Sequence, residues 1–205
     1  GGDHPDENPD YAVYEKRAEG LEDLTDHLSQ EIRESLEKGK PFVLFYAWGG
    51  TFRYLAKLLV ESIKTMADEG LDTSLIHIAL GDEYHNVGQD APQGGCYFLD
   101  YYLESPLKKV LPEEKRPIFH IVPGNMSKKR AKTFMAEEYI PIFTELKEKE
   151  GATIHFIAGV GKEGHIFFNE KNAPNNHNGF VKLAESTRLN AASGFQGIKF
   201  TPTHG

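Results

Sequence analysis

The chain has one cysteine, Cys96, and one tryptophan, Trp48, in 205 residues. A lone thiol excludes an intrachain disulfide, so packing must hold the fold together and a cytoplasmic setting is expected. No apolar stretch reaches the roughly 18–20 residues that span a bilayer, so no membrane partner is expected. Positive charge is scarce as well, with 23 Lys and Arg against 31 Asp and Glu and a net charge of −8. That balance argues against nucleic acid, while a small anionic ligand needs only local positive groups. Low-complexity linkers and internal repeats are absent too. Residues 11–205 are therefore expected to form one domain with a sizeable core, behind a polar flexible tail, "GGDHPDENPD", at 1–10. Association into a homo-oligomer stays open.

What the chain does have is alternation. Leu21, Leu24, Leu28, Ile32 and Leu36 recur at steps of three and four, which predicts an amphipathic helix over 11–38 that ends near Gly39. "PFVLFYA" (41–47), "SLIHIAL" (74–80), "PIFHIV" (117–122) and "TIHFIAG" (153–159) are short, nearly continuous apolar runs, as strands covered on both faces should be. Helical patterns separate them: 52–70, a stretch from Cys96 with a break near Pro106, and 127–151 with a kink at Pro141. "GFVKLA" (179–184) and "GIKFTP" (197–202) suggest two further strands. Such alternation implies an α/β fold, a doubly wound, mostly parallel, Rossmann-like sheet with helices on both faces.

In such sheets ligands bind beyond the carboxyl ends of the strands. Three polar clusters fall there: "WGGT" (48–51), "GDEY" (81–84) and "GVGKEGHIFFNE" (159–170). The last matches the G-x-G-x-x-G spacing of a dinucleotide turn, but "HIFFNE" and then "KNAPNNHNG" leave no room for the crossover helix that would face a pyrophosphate. A metal site could draw on His165 and Glu170 with His155 or Asp82, yet no pair has a familiar ligand spacing. An acid/base cluster fits better, because a histidine flanked by Glu163 and Glu170 can be oriented and its pKa raised toward neutrality. Asp82 adds a carboxylate on the neighbouring loop. The plain alternative is solvated loop glutamates around a packed His165. At "WGGT", Gly49 and Gly50 let backbone N–H groups approach an anion at a helix start, and Thr51 could cap that helix and donate its hydroxyl. A simple capped turn would look the same. Arg188 in "STRLNA" offers a fork of donors to phosphate, although a lone arginine is more often a surface residue.

Taken together, these stretches resemble the glucosamine-6-phosphate deaminases, whose superfamily also holds the 6-phosphogluconolactonases. "GVGKEGHIFFNE" resembles the family's G-x-G-x-D-G-H-I-x-F-N-E, "GDEY" its M-D-E-Y, "GGT" its phosphate turn and "STRLNA" its later T-R element, all in the family's order from about Pro41 onward. The resemblance implies a sugar-phosphate substrate and isomerising deamination without metal or organic cofactor. It implies Asp82 as the base that moves a proton between C2 and C1, His165 as the group that opens the sugar ring, and Glu163 and Glu170 as its orienting acids. Gly49, Gly50, Thr51 and Arg188 would hold the phosphate. Three departures stand out. Glu163 replaces the family's Asp, which moves a carboxylate by about 1.5 Å, and Trp48 stands where a small hydroxyl residue is usual. The chain also stops where the family continues, so a fragment or a shortened homologue is expected.

Overall fold

β1 (Phe42–Tyr46) is a run of five apolar residues with strands on both sides, and Phe42, Val43, Leu44 and Tyr46 are all buried because helices cover both of its faces. The computed structural model describes residues 14–159. In it, β2 (Ile76–Leu80), β3 (Ile118–His120) and β4 (Thr153–Ile157) complete a four-stranded sheet of order β3-β2-β1-β4. Every pairing is parallel: Phe42 opposes Ile76 on one side and Thr153 on the other, and His77 opposes Ile118. Parallel neighbours need long crossovers, and helices supply them. The chain steps outward from β1 to β3 and then returns to the far side of β1, so its direction of travel reverses between β1 and β4.

The two sheet faces carry different helices. Leu28, Ile32 and Leu36 of α1 (Arg17–Glu37) and Leu55, Leu59 and Ile63 of α2 (Phe52–Asp68) pack against Phe42, Leu44, Tyr46, Ile76, Ile78 and Leu80. α3 (Gly95–Leu99), α4 (Ser105–Val110) and the segment between them join that core through Leu99, Leu107 and Leu103 respectively. Val43 and Ala79 point the other way, against Tyr139, Phe143 and Leu146 of the helix that precedes β4. The period of two along each strand thus feeds both faces, and the expected doubly wound arrangement is present.

The helices on either side of β3 differ from the expected break and kink. α3 runs into α4 through a π-helical segment, Asp100–Glu104, and α5 (Lys128–Phe134) runs into α6 (Ile140–Glu150) through another, Met135–Tyr139. Pro106 and Pro141 each stand in the first two positions after a π segment. A proline has no N–H for the carbonyl one turn back, and the wider π register accommodates that loss without ending the helix. β3 is shorter than the expected 117–122, and among the described residues it pairs with β2 alone. The tail at 1–10 and the two strands expected at 179–184 and 197–202 lie outside the described residues. Among the described residues no helix is long and apolar enough to cross a membrane.

Candidate functional site

The exits of β1, β2 and β4 are stitched together by backbone bonds: Ala47 N–H donates to Ile157 O at 3.0 Å and Gly81 N–H to Tyr46 O at 3.4 Å. Since the chain reverses between β1 and β4, the crevice expected of an open parallel sheet lies at this rim. Two of the three polar clusters flank it. The third begins at Gly159, where a Cβ would stand 3.4 Å from the ring of Phe52, the first residue of α2.

At the β1 exit Gly49 has φ 137, a conformation that favours glycine, and neither Gly49 nor Gly50 has an atom within 4 Å of where a Cβ would stand. The turn is open above. Below it the turn is anchored, with Phe52 N–H donating to Gly49 O at 3.1 Å and Tyr46 Oη to Phe52 O at 2.8 Å. Thr51 stands at the cap position of α2 but makes no side-chain cap bond, contrary to expectation. Its backbone is already helical, whereas a capping side chain needs an extended backbone to fold over the first free N–H groups. Its exposed hydroxyl remains on the rim.

Asp82 is the second residue past β2, and its loop is tied down from three directions. From β1, the Trp48 indole N–H donates to Asp82 O at 3.1 Å, and its ring meets Tyr84 edge-on at 5.1 Å. From the α3 side, Glu83 accepts three backbone N–H groups: Oε1 from Tyr84 at 2.7 Å and Gly95 at 3.0 Å, Oε2 from Cys96 at 2.7 Å. From the β3 exit, Asn86 N–H donates to Gly124 O at 2.7 Å. Gly95 is required by this packing, because a Cβ there would stand 2.7 Å from both Trp48 Nε1 and Leu80 Cδ1. Tyr139 supports the end of β2 from the opposite face, donating to Leu80 O at 2.6 Å.

This enclosure sets the electrostatics. Asp82 keeps some surface exposure, yet desolvation of its carboxyl and then the neighbouring Glu83 charge push its pKa up to about 7. A hydrogen bond from Trp48 acts in the opposite direction. Burial also raises the pKa of Glu83, against the pull of its backbone donors. Burial and the Glu83 charge raise the Cys96 thiol, which leaves it inert as a nucleophile. An acid near 7 beside an open, donor-rich turn can exchange a proton with a bound anionic substrate at neutral pH.

Gly49, Gly50, Thr51 and Asp82 therefore share one rim. Glu163, His165, Glu170 and Arg188 lie outside the described residues. Among the described residues no group of three His, Cys, Asp or Glu is arranged to hold a metal ion. His155 faces α1 instead, with Nε2 2.7 Å from the Glu31 carboxylate. Three contributors are not evident from the sequence. Trp48 looks like an intruder in the "WGGT" turn but reaches across to the Asp82 loop, while nothing in the motifs gives Glu83 or Tyr139 a part. Only Glu83 leaves a trace, as the acid beside Asp82 followed at a distance by the paired Gly94 and Gly95.

No protein-family model matches the chain. A curated glucosamine-6-phosphate deaminase of Staphylococcus aureus (strain bovine RF122 / ET3-1) is 30% identical over 162 residues, 78% of this chain and 59% of the relative. The same figures hold for the enzyme of strain JH9. The chain thus spans less than two thirds of the curated relatives it matches. Among solved structures, a monomeric glucosamine-6-phosphate deaminase superposes with a TM-score of 0.66 at 23% identity, covering 89% of this chain and 70% of the other. A 6-phosphogluconolactonase from Shewanella baltica OS155 superposes with a TM-score of 0.51 at 17% identity, over 75% and 57% of the two chains. These likenesses establish a shared fold.

Proposed function

We propose, from the chain's likeness to curated glucosamine-6-phosphate deaminases and the fold it shares with a solved deaminase and a 6-phosphogluconolactonase, that it converts glucosamine 6-phosphate and water to fructose 6-phosphate and ammonia. The observation that carries this reading is Asp82, a carboxyl with a pKa near 7 beside the switch point of the sheet. Isomerisation needs a base that takes the C2 proton and returns it at C1, and a group half ionised at neutral pH can do both. The resulting C2 imine is then open to water, which releases ammonia. Gly49, Gly50, Thr51 and Arg188 hold the 6-phosphate in this reading. His165, oriented by Glu163 and Glu170, handles the ring-oxygen proton on opening. No cofactor is required, and no nucleic acid or membrane partner is invoked.

Ammonia release from glucosamine 6-phosphate tests the reaction, and Asp82→Asn tests its base. The variant keeps the size of the side chain and loses its basicity, so turnover should fall by about a hundredfold or more while sugar-phosphate binding survives. Near-normal turnover would remove Asp82 from the chemistry. A second reading, a sugar-phosphate-binding homologue with little turnover, draws on Glu163 and Trp48. Tight binding of glucosamine 6-phosphate without ammonia release by the unaltered chain selects it.

A further inference from the structure

Glu83 is a half-buried carboxylate with a defined set of partners and no assigned task. Its three backbone donors come from two places: Tyr84 in its own loop, and Gly95 and Cys96 in the first turn of α3. Gly94, at the cap position of α3, has no side chain to close that turn, so Glu83 closes it from a distance. The seat is cut to fit. A Cβ on Gly94 would stand 3.2 Å from Glu83 Oε2, and one on Gly124 would stand 3.1 Å from Glu83 Cγ. Charge-assisted bonds to backbone N–H are among the stronger polar contacts, and three on one carboxylate fix it firmly. Its neighbour in sequence is Asp82.

We propose that Glu83 is a positioning residue for Asp82, anchoring the β2 loop to the start of α3 so that the Asp82 carboxyl stays aimed at the rim crevice. The proposal rests on Asp82 being the base. Two consequences follow from one side chain. The anchor fixes where Asp82 stands. Desolvation is the larger cause of the raised Asp82 pKa, and the charge that the anchor carries adds to it by further disfavouring ionisation. The groups that face this carboxyl are Glu83 and Tyr84 from the same loop and Trp48 from β1, and the Cys96 thiol faces Glu83 from α3. Of these, Glu83 is the one whose negative charge raises Asp82.

Position and charge separate in two variants of the full chain. Glu83→Gln keeps the shape, removes the charge and sets an NH2 against N–H donors. It should lower kcat about ten- to a hundredfold with KM changed by less than about threefold. The acid limb of its pH–rate profile should move down by about 0.5 pH or more. Glu83→Asp keeps the charge but shortens the reach by about 1.5 Å, so kcat should fall while the acid limb stays in place. The Asp82 titration, followed by carboxyl 13C NMR and assigned by its loss in Asp82→Asn, should drop in Glu83→Gln even where turnover is too slow to measure. An unmoved Asp82 titration in Glu83→Gln, or undiminished kcat in Glu83→Asp, overturns the proposal. Retained turnover in Asp82→Asn overturns the underlying reading instead, so the two failures are distinct.

Discussion

With its pKa near 7, the Asp82 carboxyl stays protonated in the folded chain long after the unfolded chain has released the same proton near 3.8. Between those values the native state binds more protons, so this residue makes stability fall as pH rises. A tenfold difference in proton affinity between the two states corresponds to about 1.4 kcal/mol. Asp82→Asn removes the slope: measured against the unaltered chain, its Tm should be several degrees more favourable at pH 8 than at pH 4. An equal Tm difference at both values would mean that Asp82 titrates like an exposed carboxyl. Trp48 acts on the same carboxyl from the other side. Trp48→Phe keeps a ring against Tyr84 but loses the N–H donor, so the acid limb of kcat/KM should move to higher pH, opposite to the shift in Glu83→Gln. Gly95→Ala should cost about 1–3 kcal/mol by overpacking the Trp48 seat, readable in thermal melts. Trp48 is also the sole tryptophan. Intrinsic fluorescence should therefore change when a sugar phosphate enters the rim, and a silent titration with a binding ligand would place the ligand elsewhere.

β2 and β3 are joined by more than their backbone ladder. His77 Nδ1 and His120 Nε2 stand 2.9 Å apart on the face covered by α6, with His120 against the ring of Phe143. One imidazole must donate and the other accept, so at least one has to be neutral. Burial lowers both pKa values, and for His120, which the His77 charge opposes further, the result is about 4. The unfolded chain takes up these protons near 6.5, so below that pH it binds more protons than the native state and stability falls as pH drops toward 4. Replacing both with phenylalanine should flatten the fall in Tm across this range. A fall unchanged in the double variant would assign it to other groups. Little of this is readable in advance, because strand periodicity gives the face of each histidine but not the register that sets two of them side by side. The π segments are hidden for a related reason. Pro106 and Pro141 announce a disturbed helix, whereas the way the helix absorbs it depends on the packing of Leu103 and Tyr139 into separate cores.

At the scale of the whole molecule the sheet is largely legible, because "PFVLFYA" and "SLIHIAL" are apolar on both faces, as the covered centre of a parallel sheet requires, while "TIHFIAG" carries the same pattern although Phe156 is exposed among the described residues. The rim position of Gly49, Gly50, Thr51 and Asp82 follows from that topology alone. What joins them does not: Trp48 to Asp82 and Glu83 to Cys96 are contacts between residues distant in sequence, set by how the loops close. The order β3-β2-β1-β4 also has a kinetic side. β1 meets β2 early and with little chain between them, whereas β4 must find β1 with the rest of the described sheet already intervening in sequence, Phe42 pairing with Thr153. Pairings across so long a loop are the slow ones in folding. The crevice between β1 and β4 is therefore expected to close last. On the proposed function a sugar phosphate held there would stabilise contacts expected to form late, so in stopped-flow measurements it should slow unfolding and leave the folding rate nearly unchanged.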